Sequence, residues 1–459
     1  MAEQDERGST GAMGLRFSKT KLSGVALCAL LALGACSEEE LVLDGERYEI
    51  RAPLPGSEGA TGVAGGSVNL TREFRAPATV NHASWTHRGG STTHIVAHPA
   101  LNTNLTPIWT ANIGKGNSRK SRITSDPVVA GGRIFTLDSA SNVVATGSDG
   151  ASLWSRALVP ATDKDGDATG GGLAFADGTV FVTTGFGELF ALEATSGAVK
   201  WRQKLDAPLT SAPTIDGGLV YVVSRDSQAW ALDTAQGRIK WQLPGTPSTA
   251  VINGGAGPAI APRVVVFPFG SGELVGALKK SGIRVWGSSV AGQRKGVSYA
   301  SISDVTGDPV IVDGVIYAAN QAGRLVAMKA SSGERIWTAR EGSYSPVWPS
   351  GDSVFLVSDR NELLRLDRET GERIWGVELP YYTARKLRKR DEIYAHFGPI
   401  LAGGRLVVAS SDGQIRSYDP ASGALVGTTA LKGGAASAPV IVNSTLYVMT
   451  GKGQLAAFR

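Results

Sequence analysis

Between Ser211 and Trp241 the chain reads SAPTIDGGLVYVVSRDSQAWALDTAQGRIKW, in which short apolar runs alternate with turn residues. Four strands are predicted, at Pro213 to Ile215, Leu219 to Val223, Ala229 to Leu232 and Ile239 to Trp241. Runs of this length, so closely spaced, make a four-stranded antiparallel meander. Gly237 precedes the last strand, where a tight turn needs positive φ, and Trp241 closes the unit with a large apolar surface.

The Gly-x-x-x-Trp ending recurs at Gly150/Trp154, Gly197/Trp201, Gly237/Trp241, Gly282/Trp286, Gly333/Trp337 and Gly371/Trp375, with a degenerate copy at Gly423/Gly427. Successive endings lie 38 to 52 residues apart, a period that matches propeller blades. The opening strand has its own mark, a proline after a small or polar residue: Asp126-Pro127, Ala212-Pro213, Gly257-Pro258, Asp308-Pro309, Ser345-Pro346, Gly398-Pro399 and Ala438-Pro439. Proline has no N–H to donate, so it is expected at the first residue of a strand.

The ends of the repeat array imply how it closes. The last unit, Ala438 to Arg459, stops after its third strand, LAAFR, while Leu105 to Trp109 (LTPIW) has the ending of a fourth strand and no third strand ahead of it. Pairing the N-terminal strand into the C-terminal blade removes two open edges. The expected fold is therefore an all-β, eight-bladed β-propeller over residues 81–459, its last blade completed by the N-terminal strand.

Composition agrees: the 459 residues include 59 Gly and only 2 Cys, as suits a turn-rich β protein without disulfides. A balance of 46 basic and 41 acidic residues is too mild to argue for a nucleic-acid partner.

Residues 1–36 read as a processing segment. Arg16, Lys19 and Lys21 precede the apolar run Val25 to Leu33, and Leu33-Gly34-Ala35-Cys36 matches a lipoprotein cleavage box. The run is too short for a stable membrane span, and Met13 is an alternative start. Cys36 becomes the expected site of lipidation, its acyl chains anchoring the mature chain to a membrane without spanning it. Residues 37–80 mix charges with Gly, Pro and Ala and read as a tether.

Three clusters carry residue types capable of chemistry. His82, His87, His94 and His98 surround Trp85, but their spacing is not that of a zinc motif, and the stretch reads as a lead-in crossing the ring toward Trp109. Asp163, Asp165 and Asp167 resemble part of a calcium loop, yet the twelfth position is Ala174 where a bidentate Glu is needed, so an inter-blade loop is expected. Between Trp375 and Pro399, Arg385, Lys386, Arg388, Lys389 and Arg390 stand among tyrosines; the stretch is either a solvated loop or a contact for anionic lipid or an acidic surface.

The units GELFALEATSGAVKW, SQAWALDTAQGRIKW and GRLVAMKASSGERIW resemble the pyrroloquinoline-quinone-type repeat. Together with the lipidation box and tether, they make the chain similar to the BamB family of lipoproteins of the outer-membrane β-barrel assembly machinery, over residues 81–459, with phrases such as FGPILAGGRLVVASSDGQI resembling its alphaproteobacterial branch. The resemblance implies a non-catalytic scaffold without cofactor, anchored in the outer membrane and facing the periplasm. Its implied partners are the periplasmic POTRA domains of the central assembly subunit and unfolded outer-membrane proteins. Family contact loops map onto Ala250, Ile252, Asn253 and Gly254, and onto Ser303, Asp304 and Thr306; Asn253 and Thr306 depart from the family's Arg and second Asp. The repeat also occurs in quinone-dependent dehydrogenases, and a periplasmic quinone-dependent dehydrogenase or other ligand-binding propeller is the alternative reading. Those enzymes resemble this chain in blade number but carry a Cys pair, whereas the expected mature propeller has no Cys and only His396 within its blades.

Overall fold

The computed structural model describes residues 69–459, except 210, 249, 253, 293 and 295–297. Within them the strands form eight antiparallel sheets of four strands each, seven of them meanders as the repeat predicts. Blades 1 to 7 span residues 128–157, 171–204, 214–244, 259–289, 310–339, 348–378 and 396–430. In blade 3 the strands are Thr214–Asp216, Leu219–Ser224, Gln228–Asp233 and Ile239–Pro244, the last running beyond Trp241. The inner three strands of this blade are largely buried and the outer one largely exposed. Gly398-Pro399 departs from the expected position: it lies inside the strand His396–Ala402, where the register slips between Phe397 and Ile400 so that no ladder N–H is demanded of the proline.

The Gly-x-x-x-Trp ending links blades as well as closing them. Each of Trp109, Trp154, Trp201, Trp241, Trp286, Trp337 and Trp375 donates its indole N–H to a carbonyl in the last turn of the following blade. The ring lies against that turn's glycine. Gly237 has φ +70°, and a Cβ there would come within 2.5 Å of Trp201. The glycine thus serves both the turn and the close approach of the preceding blade.

Blade 8 is Val440–Val442, Thr445–Met449 and Gln454–Phe458, with Pro107–Asn112 as its outer strand, paired antiparallel from Pro107 opposite Phe458 to Asn112 opposite Gln454. Closure by the N-terminal strand is as the sequence predicts. It also explains the degenerate repeat. Blade 8 has no covalent turn between its third and fourth strands, so an indole at Gly427 of blade 7 would find no turn to staple.

The histidine-rich lead-in fills the central channel. Trp85 pairs with Val129 of blade 1, the Thr86 carbonyl accepts from Phe175 of blade 2, and His87 Nε2 accepts from the Ile215 N–H of blade 3 at 3.1 Å. The carbonyls of Thr92 and Thr93 accept from Ile260 of blade 4 and Ile311 of blade 5, and those of Pro99 and His82 from Gly403 and Asn443 near blades 7 and 8. The remaining histidines also serve the backbone: His94 Nδ1 lies 2.9 Å from the Pro309 carbonyl, and His98 bridges the Pro77 carbonyl and the Gly404 N–H. At the axis, Arg88, its side chain 14% exposed, lies between Asp308 at 2.9 Å and Asp126 at 3.3 Å. Those carboxylates in turn accept the backbone N–H groups of Gly257 and Ala438. Burial pulls the Arg88 pKa down, but the two aspartates more than reverse this, so the group stays charged.

Within residues 69–80, at the end of the expected tether, Asn69 to Phe74 lie along blade 6. Asn69 exchanges two hydrogen bonds with Gly376, Arg72 pairs with Asp352 and Asp367, and Phe74 packs edge-on against Phe355. The reason is Arg365, a buried blade 6 guanidinium that needs acceptors and takes the carbonyls of Arg72 and Glu73. Cys36 and residues 37–68 lie outside the described residues.

Candidate functional site

In an up-and-down blade, the inter-blade loops and the turns between second and third strands share one face of the disc. Both stretches expected to contact a partner lie there. They are also joined. The Asp304 carboxylate, on the loop from blade 4 to blade 5, accepts the Ile252 N–H, on the loop from blade 3 to blade 4, at 2.9 Å. Asp304 is only 5% exposed, and burial pushes its pKa up to about 6 against the hydrogen bonds from Ile252 and Val305 and the field of Arg225.

The Asp304 carboxylate therefore faces inward, onto the Ile252 N–H. Thr306 is buried as well: its hydroxyl donates to the Ser343 carbonyl at 2.6 Å, holding the next inter-blade loop. Ala250 is exposed, and Ile252, Gly254 and Ser303 are half-buried at the surface; Asn253 lies outside the described residues. Beneath the first loop, Val251 sits where a Cβ on Gly270 would be.

The sequence did not point to the rest of this surface. Arg225, in the second turn of blade 3, is exposed beside Asp304 and makes no ion pair among the described residues. Arg294 grips the fully buried Asp359 carboxylate of blade 6 through two hydrogen bonds of 2.7 and 2.8 Å, and donates to the Arg340 carbonyl. Tyr344 stands on this platform, 43% exposed. Each contact spans residues distant in sequence, so no local pattern announces it. From Arg225 to Asp359 the loops of blades 3 to 6 are tied into one surface. The aspartate run is placed elsewhere on this face: Asp165 pairs with Lys115, and Asp167 accepts the Lys164 N–H.

A sequence profile of the family described as Outer membrane protein assembly factor BamB matches residues 139–377 and 386–459. The chain belongs to the BamB family. A BamB of Shewanella oneidensis is 27% identical over 369 residues, 76% of this chain and 87% of its own length. The crystal structure of BamB from Moraxella catarrhalis superposes with a TM-score of 0.64 at 20% identity, covering 78% of this chain and all (100%) of that one. A quinohemoprotein alcohol dehydrogenase from Comamonas testosteroni gives a TM-score of 0.63 at 16% identity, covering 83% of this chain and 81% of its own. At these identities both structural likenesses show the shared propeller alone. The family resemblance carried by the repeats is borne out.

The dehydrogenase likeness raises the question whether a quinone fits this BamB-family channel. Beside Trp85 and His94 it does not: the void there, next to Trp348, is about 30 Å³, room for a water molecule or two rather than a fused-ring quinone, while a wider cavity of about 270 Å³ opens between Arg88 and His396. Burial holds the His87 pKa down to about 3, with His94 adding to the effect, and lowers His94 likewise, so both plug histidines are neutral.

Proposed function

We propose that the protein is a non-catalytic scaffold of outer-membrane β-barrel assembly, anchored by acyl chains on Cys36 to the periplasmic face of the outer membrane. It docks the periplasmic POTRA domains of the barrel assembly subunit and aids insertion of unfolded outer-membrane proteins. The observation that carries this reading is the hydrogen bond from Ile252 to Asp304, which holds two consecutive inter-blade loops as one surface with Ala250 and Arg225 outward. Family membership supports the process, and inter-blade loops preorganised by buried hydrogen bonds support docking. The small void beside Trp85 speaks against a quinone at that part of the axis.

The test is affinity capture of the mature protein from crosslinked envelopes, comparing wild type with Ala250→Arg combined with Arg225→Glu. The double variant is expected to recover the assembly subunit at least ~10-fold less well, through steric obstruction and reversed charge at the rim. Equal recovery would remove these loops from the interface. Lipidation is tested separately: Cys36→Ser should release the protein from the membrane fraction, and retention there would contradict the anchor.

A further inference from the structure

The connection from blade 6 to blade 7 is a hairpin finger. Tyr382 and Ile393 form an antiparallel bridge at its neck, reinforced by the Tyr394 N–H to the Tyr381 carbonyl at 2.8 Å and the Thr383 N–H to the Glu392 carbonyl at 3.1 Å. Its base is fixed: Asn361 Nδ2 donates to the Tyr394 carbonyl at 2.9 Å, and the His396 ring donates from Nε2 to the Pro380 carbonyl at 2.8 Å. The tip is a 3-10 turn, Leu387–Lys389, with its own bonds from Lys389 to Lys386 and from Arg390 to Leu387.

This ordered tip presents Leu387 to solvent at 80% exposure, the highest of the exposed large apolar side chains among the described residues. Lys386 and Arg388 flank it, with Arg385, Lys389 and Arg390 alongside, and none of the five makes an ion pair among the described residues. Arg390 instead stacks over the Tyr382 ring, 4.9 Å from its centroid. Tyr382 and Ile393 are themselves 42% and 46% exposed. Asp391 and Glu392 follow Arg390 directly, at the start of the returning arm.

From this geometry we infer that the finger inserts into an anionic phospholipid surface. Unpaired cations around an exposed leucine satisfy both zones of a bilayer boundary: the charges meet headgroup phosphates, Leu387 enters the acyl edge, and the tyrosines sit between. An acidic protein surface would answer the charges, but it gives no role to an aliphatic side chain at the apex. The described N-terminal end of the chain arrives at the same blade, where Asn69 and Leu70 bond to Gly376 and Ile374 of the outer strand that leads into the finger. The inference rests on the proposed membrane setting, but its contact is independent of an acyl chain, so the two can fail separately.

The experiment uses the mature full chain carrying Cys36→Ser, sedimented with vesicles of phosphatidylcholine alone or of equal parts phosphatidylcholine and phosphatidylglycerol. Binding is expected only to the anionic vesicles and is expected to weaken with salt. Each of the five cations changed to Gln should weaken it about fivefold. Leu387→Ser, which keeps every charge, should weaken it on the order of tenfold. The thermal midpoint should not move in these variants, because the tip is exposed. No anionic-vesicle binding, equal binding to both vesicles, or an unaffected Leu387→Ser variant would overturn the inference. So would crosslinking of the finger to an acidic protein that survives Leu387→Ser while vesicle binding is absent.

Discussion

Asp304 holds a carboxylate where burial disfavours its charge, and the N–H groups of Ile252 and Val305 offset that penalty. Removing the acceptor with Asp304→Ala should leave the Ile252 amide unpaired, costing about 1–3 kcal/mol and speeding its hydrogen exchange. An unchanged exchange rate would mean the loops do not depend on this bond. The plug histidines and Asp304 act oppositely with pH. A histidine with a folded pKa near 3 is neutral in the folded state while the unfolded chain protonates near 6.5, so its stabilisation is present above 6.5 and is lost as pH falls toward 3. Asp304, raised from 3.8 to about 6, contributes stability that is full below 3.8 and is lost as pH rises through 6. Replacing His87 with Gln should flatten the acid side of the stability profile by about 1 kcal/mol per pH unit; a profile of unchanged slope would refute the buried neutral ring.

At the scale of the blade, the tryptophan and glycine endings are one device divided between neighbours. Trp201→Ala should cost about 3–5 kcal/mol, and Gly237→Ala, which forces a Cβ against Trp201 at positive φ, at least ~1 kcal/mol, both read from chemical denaturation. Gly427→Trp should gain nothing, because blade 8 offers no covalent turn for the indole; a raised thermal midpoint would contradict that explanation. Elements were legible where the pattern was local. Alternating apolar runs and repeated glycines placed the meander of each blade, and the incomplete units at the two ends announced the closure. What the pattern could not carry was contact between segments distant in sequence. The plug engages blades 1, 2, 4 and 5 through backbone groups that any sequence possesses and blade 3 through the His87 ring, so most of its path around the axis leaves no residue signature. The buried role of Asp304 was hidden for a related reason: an aspartate on a loop reads as a surface charge until its acceptor role is seen.

At the scale of the whole molecule, the disc has a closed interior and a patterned face. Its axis is crossed by Trp85 and the Arg88, Asp126 and Asp308 cluster, and the inter-blade loops are the proposed place for recognition. Blades 3 to 6 present the knitted platform, and the finger rises from the end of blade 6. A scaffold built this way is expected to keep its shape on binding, so variants at Ala250 and Arg225 should change affinity without changing the melting temperature. The most direct test of the central claim is the affinity of the purified mature protein for the isolated periplasmic POTRA domains of the assembly subunit. The account predicts saturable binding, weakened at least ~10-fold by Ala250→Arg with Arg225→Glu and unaffected by distant surface changes such as Lys200→Ala. No binding, or binding indifferent to the double substitution, would contradict it.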